Sequence, residues 1–570
     1  MRTLAKYLPN PLFFILLTVP VLFIICNPFF EIGVGDDWEY ARLSRALAET
    51  GRFQLDGWTH AMALPQTIWG ALIVKIAGFS FVAIRVSMIP IVLGCCVLIY
   101  AMARWLKLSP WLAGLTVAEV LLSPLFLPMG TTFMTDVPSL LFFLTTLYCA
   151  LKAAEAPPRT AVVWIALAAV AGFIGGANRQ VIWTAPAAML GGVIVLRRRE
   201  RNVVLAASLA IIGVILAAGY LTAWCAGRGI LGVPKTMPEP MYIVGRFSET
   251  TLRIIPTLAL FCLPALLFLF GSRVKLTRRA LLACGVAAAV VVAIAALKQD
   301  WVRVPWLGSI VTEFGIRRPG QLVAGLQPLA ISRYVTHALG LSVIALILFG
   351  LIVSPAIGRA LRERGPVDSR LWIFAVIAVS SCALYLAGSL PSSLWPAWYF
   401  DRYLLPLIVI VNLGAMAVAA RLPGATLRLA AVPTLLIFGV FGLAMTHDAF
   451  RLSEARARAA DRLREIGVPR TCVSGGYEYD GWTQVTIAGH IGRTGSEDEV
   501  FHLLFSGPYP NTAQKFWFLP LTPEVRPRYF MATSPQPDLS RTVFTQSYRT
   551  WLPPRNRQIL VQTDSSAGCT

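Results

Sequence analysis

Three acidic residues stand together near the start of the chain. Asp36, Asp37 and Glu39 lie in the sequence Gly-Val-Gly-Asp-Asp-Trp-Glu-Tyr, directly after the first long apolar run. Acids at a membrane surface are costly and need a reason, and carboxylates can serve as acids or bases in catalysis. The alternative is that they cap and begin a helix, whose dipole favours negative charge. Capping explains one acid well and three poorly, so we predict a functional role for this group.

A further acid opens a later helix. Asp136 lies in Thr-Thr-Phe-Met-Thr-Asp-Val-Pro, after a second short polar turn. Capping by Thr135 or Asp136 ahead of Pro138 accounts for this residue about equally well. Function is favoured because the topology derived below places this acid on the same side of the membrane as the first group.

Two arginines interrupt short turns on that same side. Arg179 lies in Gly-Ala-Asn-Arg-Gln and Arg402 in Tyr-Phe-Asp-Arg-Tyr-Leu-Leu-Pro. A guanidinium group can hold a lipid phosphate through forked hydrogen bonds. For Arg402, an ion pair with Asp401 or snorkelling to the interface is an equally good alternative.

The remaining chemistry-bearing residues give weaker signals. A metal site formed by His60 with Asp36 or Asp37 is conceivable, but no ligand spacing supports it, and a divalent cation remains an open question. The sequence contains no phosphate-binding loop, dinucleotide fingerprint or nucleophile elbow, which disfavours nucleotide-driven transport. Among the ten cysteines, Cys472 and Cys569 lie in a polar region, and a disulfide between them is left open.

The composition requires these residues to be positioned by a membrane-embedded bundle. The chain has 570 residues, of which 56% are hydrophobic and 14% are charged, which is more apolar surface than a soluble core can bury. About 13 apolar runs are long enough to cross the hydrocarbon layer. They lie at 11–30, 83–103, 109–128, 135–152, 160–176, 180–196, 203–224, 253–271, 279–297, 334–355, 371–389, 401–420 and 428–447.

The basic residues set the predicted orientation. The net charge of +21 is distributed in short clusters between apolar runs, so nucleic-acid binding is not predicted. The clusters fall in alternate loops, as the positive-inside rule requires of cytoplasmic loops. They are Arg2 and Lys6; Arg104 and Lys107; Lys152 and Arg159; Arg197, Arg198, Arg199 and Arg201; Arg273, Lys275, Arg278 and Arg279; Arg359, Arg362, Arg364 and Arg370; Arg421 and Arg428. We predict a multi-pass protein of the inner membrane with a cytoplasmic amino terminus.

The opposite side receives the long loops 31–82, 225–252 and 298–333 and the polar tail. In the first of these loops we predict two interfacial helices, Trp38 to Glu49 and Pro65 to Ala77. We divide the chain into a transmembrane catalytic domain, 1–447, and an extracytoplasmic α/β domain, 448–570. The tail should open with a helix from Phe450 to Ile466, followed by short strands such as Thr471–Ser474 and Gln484–Ile487.

Several of these motifs together resemble the GT-C glycosyltransferases, in particular the family that includes protein O-mannosyltransferases and lipid A aminoarabinose transferases. They are the acidic pair followed by Tyr-Ala-Arg-Leu, the helix through Pro65 and Trp69, Met-Thr-Asp-Val-Pro, Asp-Arg-Tyr-Leu-Leu-Pro, and Gly-Gly-Tyr-Glu-Tyr-Asp-Gly-Trp in the tail. The likeness covers most of residues 1–447. The chain departs from the family in having His-Ala-Met-Ala-Leu-Pro at 60–65 where a Glu-Lys-Pro motif is expected.

The resemblance implies a polyprenyl-phosphate sugar donor and a lipid, glycan or protein acceptor on the extracytoplasmic face. Asp36 would be the catalytic base, with Asp37 and Asp136 as the further acids, and transfer would invert the anomeric centre. Arg179 and Arg402 would hold the donor phosphate. The substrate contacts would come from Glu39, Tyr40, His60, Gln180 and Tyr403.

Two alternatives remain at the sequence level. A transporter or lipid flippase would also have many helices and intramembrane charges, but the chain shows no inverted repeat. A ligase or polymerase of lipid-linked glycans would use the same carrier phosphate and transfer a longer chain.

Overall fold

The computed structural model describes residues 11–53, 58, 61–227, 240–272, 277–297, 302–317, 323–325, 329–363, 368–393, 399–422, 424, 430–494, 516 and 518–564. The chain is predominantly helical and carries a small sheet near its carboxyl end, as the sequence predicts. The helices before the first long break are α1 (Pro11–Cys26), α2 (Asp37–Thr50), α3 (Leu64–Ala77), α4 (Phe81–Val86), α5 (Ile89–Trp105), α6 (Pro110–Leu121), α7 (Phe126–Gly130), α8 (Asp136–Glu155), α9 (Pro158–Asn178), α10 (Thr184–Leu196) and α11 (Arg201–Ala226).

The second half continues the bundle and adds the tail. Its helices are α12 (Pro240–Phe261), α13 (Leu263–Phe270), α14 (Arg278–Leu297), α15 (Arg333–Arg362), α16 (Ser369–Ser389), α17 (Leu405–Ala419), α18 (Ala431–Glu465) and α19 (Tyr477–Ala488). The strands are β1 (Val311–Thr312), β2 (Gly315–Ile316), β3 (Val473–Ser474), β4 (Tyr529–Ala532), β5 (Arg541–Trp551) and β6 (Pro554–Thr563).

Every predicted apolar run overlaps a helix or two consecutive helices. Among the described residues, eight helical segments are long and apolar enough to cross a membrane, or nine if α12 and α13, which bend by 75° at their junction, form one span. The count of 13 spans is therefore not confirmed. The helices α1, α3, α6 and the segment Gln180–Leu196 are apolar but shorter.

Both helices predicted in the first long loop are present, as α2 and α3. Helix α2 is capped at its carboxyl end by Gly51, which adopts the left-handed conformation (φ 68°) and donates its N–H to the carbonyl of Leu47. Helix α3 has proline in its first turn, where a missing N–H is tolerated.

The tail corrects two sequence expectations. No separate helix starts at Phe450, because α18 runs unbroken from Ala431 to Glu465 through the predicted domain boundary. Gln484–Ile487 is not a strand but lies in α19. An alternation of only four residues is too short to tell a strand from a helix, and here acidic residues in the first turn and Gly489 in a left-handed conformation delimit the helix.

The tail sheet has the strand order β3-β4-β6-β5. Strand β3 is parallel to β4, whereas β6 is antiparallel to both β4 and β5. Buried residues of this sheet, including Val473, Met531 and Val561, belong to the same hydrophobic cluster as buried residues of the helical bundle. The described part of the tail is thus packed directly onto the bundle.

Loops that the charge rule puts on one side meet in the structure. Asp368 lies 2.9 Å from Lys107 Nζ and 3.1 Å from Arg421 Nη2, and Arg370 pairs with Glu155 at 2.7 Å. All of these residues lie in or beside loops predicted to be cytoplasmic. The segments predicted on the other side converge on the site described next.

Candidate functional site

The side chain of Asp36 is turned away from the helix it precedes. Asp36 occupies the N-cap position of α2 but forms no side-chain capping bond. Its Oδ1 accepts hydrogen bonds from the Tyr477 hydroxyl and, at 3.3 Å, from Trp58 Nε1, and its Oδ2 lies 3.4 Å from Arg402 Nη1. The side chain is 23% exposed. Capping therefore does not explain Asp36, whose carboxylate is held by three other segments of the chain.

Asp136 is joined to Asp36 through an arginine. Arg402 Nε lies 3.9 Å from Asp136 Oδ1, and Arg179 forms an ion pair with the same oxygen. Asp136 is almost completely buried, and the N-cap residue Thr135 before it makes no side-chain capping bond. The four residues form a row of alternating charge in the order Asp36, Arg402, Asp136, Arg179.

Arg402 reaches this row because Asp401 is occupied elsewhere. The Asp401 carboxylate accepts hydrogen bonds from the backbone N–H groups of Ile310 at 3.1 Å, Val311 at 2.9 Å and Arg402 at 2.8 Å. The proposed ion pair between the two neighbouring side chains is thus not observed. Asp401 instead ties the start of α17 to the β1–β2 segment.

The β1–β2 segment contributes an arginine that the sequence reasoning missed. Arg317 is 9% exposed and has a left-handed backbone (φ 61°). Its guanidinium lies against Gly35, where an added Cβ would overlap Nη1. The positive charge of Arg317 therefore lies beside the loop that carries Asp36. In the sequence, the only sign of this close approach was the glycine at position 35, which adopts φ 61° in the structure.

The charges around Asp36 favour its ionised form. Burial raises the pKa of Asp36, but the charges of Arg402 and Arg317, followed by the hydrogen bonds from Tyr477 and Trp58, hold it below its usual value. The site groups three arginines, Arg179, Arg317 and Arg402, with the two carboxylates of Asp36 and Asp136. Guanidinium groups of this kind suit an anionic ligand such as a phosphate.

Asp37 points away from this group. Its Oδ2 lies 2.9 Å from Arg85 Nε, both side chains are 1% exposed, and its Oδ1 accepts a hydrogen bond from the N–H of Val34. Arg85 also donates to the carbonyls of Pro28, Phe30 and Ile32. Asp37 therefore pairs directly with Arg85 and not with Arg402 or Arg179, although the charge of Arg317 also reaches it.

The predicted substrate contacts are distributed unevenly. The Tyr403 ring lies 4.4 Å from the Arg179 guanidinium carbon, and Gln180, next to Arg179, begins a short 3-10 helix, Gln180–Trp183. Glu39 and Tyr40 are buried on α2. His60 lies outside the described residues.

The tail provides residues whose role the sequence left open. Tyr477 and Trp482 are buried, and Trp482 stacks on Phe79 with ring centroids 5.1 Å apart. Tyr477, however, also binds Asp36. Cys472 is disulfide-bonded, whereas its suggested partner Cys569 lies outside the described residues.

No three His, Cys, Asp or Glu side chains of the described residues are grouped so as to hold a metal ion.

Comparison with known proteins supports the resemblance seen in the motifs. Residues 65–224 match the family model described as dolichyl-phosphate-mannose-protein mannosyltransferase. The predicted resemblance to GT-C glycosyltransferases is confirmed by this match, which includes Asp136 and Arg179. No curated protein matches the chain.

Two crystal structures of ArnT from Cupriavidus metallidurans are similar over nearly the whole chain. The structure bound to undecaprenyl phosphate has 12% sequence identity and a TM-score of 0.42, covering 97% of this chain and 98% of ArnT. The apo structure has 15% identity and a TM-score of 0.40, covering 98% of each chain.

Proposed function

We propose that this chain is a membrane glycosyltransferase that transfers one sugar from a polyprenyl-phosphate donor to a lipid, glycan or protein hydroxyl on the extracytoplasmic face. The observation that carries the proposal is the row Asp36, Arg402, Asp136, Arg179, in which a partly exposed carboxylate adjoins a cluster of arginines. The matching family is named for a dolichyl-phosphate sugar donor, which is a polyprenyl phosphate.

Asp36 acts as the general base. An acceptor hydroxyl is a poor nucleophile at neutral pH, and a carboxylate within hydrogen-bond reach takes its proton as the new bond to the anomeric carbon forms. The lowered pKa of Asp36 keeps it ionised and ready to accept that proton. It is also the more exposed of the two carboxylates in the row, at 23% against 1% for Asp136.

The arginines stabilise the leaving group. As the bond between the anomeric carbon and the phosphate oxygen breaks, its electron pair stays with the polyprenyl phosphate, which gains negative charge. Arg402 and Arg179 bind this phosphate, and the nearby charge of Arg317 adds to the positive potential. A direct displacement of this kind inverts the anomeric centre and requires no covalent enzyme intermediate.

Asp136 positions the two arginines. It accepts from Arg179 and lies within ion-pair distance of Arg402, so its charge keeps both guanidinium groups beside Asp36 before the donor binds. Asp37 belongs to the frame that supports this loop, through Arg85, rather than to the reacting groups. Tyr403 and Gln180, adjoining the arginines, remain the substrate contacts best placed for the donor.

The test is sugar transfer by the full-length protein in proteoliposomes, with a panel of radiolabelled polyprenyl-phosphate sugars and with lipid, glycan and peptide acceptors. Asp36→Asn should lower transfer by about 10²-fold or more, the usual contribution of a general base. Asp461→Asn is the matched control, because Asp461 is 56% exposed on α18 and pairs with Arg464 outside the site.

Each result separates the functions under consideration. Loss of transfer in Asp36→Asn, with equal folded protein and an active Asp461→Asn, supports the proposal. An active Asp36→Asn variant contradicts the assigned base. Wild-type protein that consumes no single-sugar donor, yet moves labelled lipid across the bilayer, would instead be a flippase. Transfer of only preassembled glycans would indicate a ligase.

A further inference from the structure

The start of helix α19 lies directly on the loop that carries Asp36. The Tyr477 hydroxyl donates to Asp36 Oδ1, and the next residue, Glu478, accepts a hydrogen bond from the N–H of Gly35 at 2.9 Å. Glu478 is itself fixed by an ion pair with Arg456 of α18 at 2.9 Å, and both side chains are fully buried. Two consecutive tail residues therefore hold two consecutive residues of the base loop.

Glycines on both sides make this approach close. A Cβ at Gly33 would meet Trp38 Cβ at 2.6 Å and Glu478 Cβ at 3.3 Å, and a Cβ at Gly481 would lie 2.9 Å from the Trp38 ring. Gly476, just before α19, has φ 92°, a conformation that other residues rarely adopt. The glycines in these two motifs thus allow α19 to seat against the beginning of α2.

A second neutral donor reaches the same carboxylate oxygen. Trp58 Nε1 lies 3.3 Å from Asp36 Oδ1, and the Trp58 ring packs against Tyr477 and Phe518 with centroid distances of 5.6 Å and 5.2 Å. These aromatic contacts fix the direction of both donors. Oδ1 thus faces the tail and its aromatic neighbours, whereas Oδ2 faces Arg402.

We propose that Tyr477 and Trp58 are positioning residues that anchor Asp36 through Oδ1, so that Oδ2 is the atom that accepts the proton from the acceptor hydroxyl. The tail then completes the catalytic centre instead of only covering it. This inference rests on the proposed function, since it assigns the geometry of the same base.

The two carboxylate oxygens of Asp36 differ in whether their hydrogen-bond donors can move away. Tyr477 and Trp58 belong to packed aromatic groups that have no reason to move during turnover. Arg402, in contrast, has an alternative partner once the donor phosphate arrives, and a phosphate competes effectively for a guanidinium group. Donor binding thus draws Arg402 from Oδ2 and frees that oxygen for the incoming hydroxyl.

The proton balance follows from the same contacts. The acceptor proton passes to Oδ2, the acceptor oxygen bonds to the anomeric carbon, and the departing phosphate keeps the electron pair. Tyr477 keeps its own proton throughout, because burial first, and then the charge of Asp36, raise the pKa of its hydroxyl. Tyr477 is therefore a hydrogen-bond donor and not an acid in the reaction.

The anchoring bond also sets the acid limit of activity. The charged groups facing Asp36 are Arg402 from the start of α17, Arg317 from the β1–β2 segment and, through Arg402, Asp136 from α8. The nearby Asp37 and Glu478 are paired with Arg85 and Arg456. With these groups unchanged, loss of the Tyr477 hydroxyl removes a bond to the ionised form of Asp36 and raises its pKa.

The decisive measurement is the pH profile of kcat for Tyr477→Phe, with Tyr479→Phe as the matched control. Tyr479 lies two residues along the same helix, is 5% exposed and stacks on Arg470, away from Asp36. The acid limb should move to higher pH by about one unit in Tyr477→Phe, the size expected for one bond to a charged group. It should not move in Tyr479→Phe, and the KM for the donor should stay the same in both.

Trp58→Phe provides an independent test that keeps an aromatic ring. Because its bond to Oδ1 is longer, the acid limb should shift in the same direction by about half a unit. If Tyr477→Phe fails to fold, as judged by size-exclusion chromatography, this variant decides. Folded variants with an unmoved acid limb, or with no activity at any pH, would overturn the anchoring role.

The outcomes also separate this inference from the function on which it rests. Wild-type protein without sugar transfer refutes the proposed glycosyltransferase. Active wild-type protein, inactivated by Asp36→Asn but with the same pH profile in Tyr477→Phe and Trp58→Phe, keeps the function and refutes only the anchoring of Oδ1.

Discussion

Arg402 bridges both carboxylates of the site, and Arg402→Gln tests what that bridge does. Its guanidinium lies 3.4 Å from Asp36 Oδ2 and 3.9 Å from Asp136 Oδ1, with 12% of the side chain exposed. At an effective dielectric constant near 20, a unit charge pair at the shorter distance interacts by about 5 kcal/mol. Solvent reaches part of Asp36, and Arg317 remains in the variant, so about 1 to 3 kcal/mol of net effect is expected.

This loss should affect two measured quantities. The pKa of Asp36 in the free enzyme, which Arg402 helps to hold down, should rise by about one to two units, moving the acid limb of kcat/KM to higher pH. The KM for the donor should rise by about 10- to 100-fold, because a charge-assisted bond to phosphate contributes about 1.5 to 3 kcal/mol.

The assay is transfer from a labelled polyprenyl-phosphate sugar, measured over a range of donor concentrations at several pH values. Arg402→Lys is the control, since it keeps the charge but loses the forked geometry: its acid limb should stay near that of the wild type, with a smaller rise in KM. An unchanged donor KM in Arg402→Gln would refute the phosphate clamp. An unmoved acid limb would refute the electrostatic link to Asp36.

Two further variants test residues of the supporting frame. Asp37→Asn leaves Arg85 buried without its charged partner, so the free energy of unfolding should fall by about 3 kcal/mol, measured as a lower melting temperature in detergent. The kcat of the folded fraction should stay within about threefold of the wild type. A large drop in kcat without a loss of stability would instead indicate that Asp37 takes part in catalysis. Burial raises the pKa of Asp480 to about 7 from 3.8, so the stability that its neutral form contributes is complete below pH 3.8 and is lost as the pH rises through 7. The melting temperature should therefore fall between about pH 4 and 7 in the wild type and less steeply in Asp480→Asn, and equal slopes would contradict this account.

The sequence predicted the helices well because lipid imposes a strong local constraint. A segment that crosses hydrocarbon must be apolar along its whole length and must form its backbone hydrogen bonds within itself. Each span can therefore be identified from its own residues alone. The charge rule then placed Asp36, Asp136, Arg179 and Arg402 on one side, and the structure joins these four in one row.

The sequence could not reveal contacts that depend on distant segments. Arg317 has no motif around it, and Tyr477 lies in a run of aromatics typical of a packed core. Asp37 was grouped with Asp36 because the two are adjacent in the sequence. Neighbouring side chains at the start of a helix point in different directions, however, and of these two acids it is Asp37 that pairs with Arg85. In each case the deciding partner is far away along the chain.

The separation between Asp36 and Tyr477 has a consequence for biosynthesis. The two residues are 441 positions apart, and α18, which leads to Tyr477, starts only at Ala431. A growing chain therefore exposes Asp36 long before its anchor exists, and the reacting geometry is complete only when the last helix has inserted and the tail has docked. A stalled or truncated chain that ends before the tail therefore contains Asp36, the proposed base, without the Tyr477 contact that orients it.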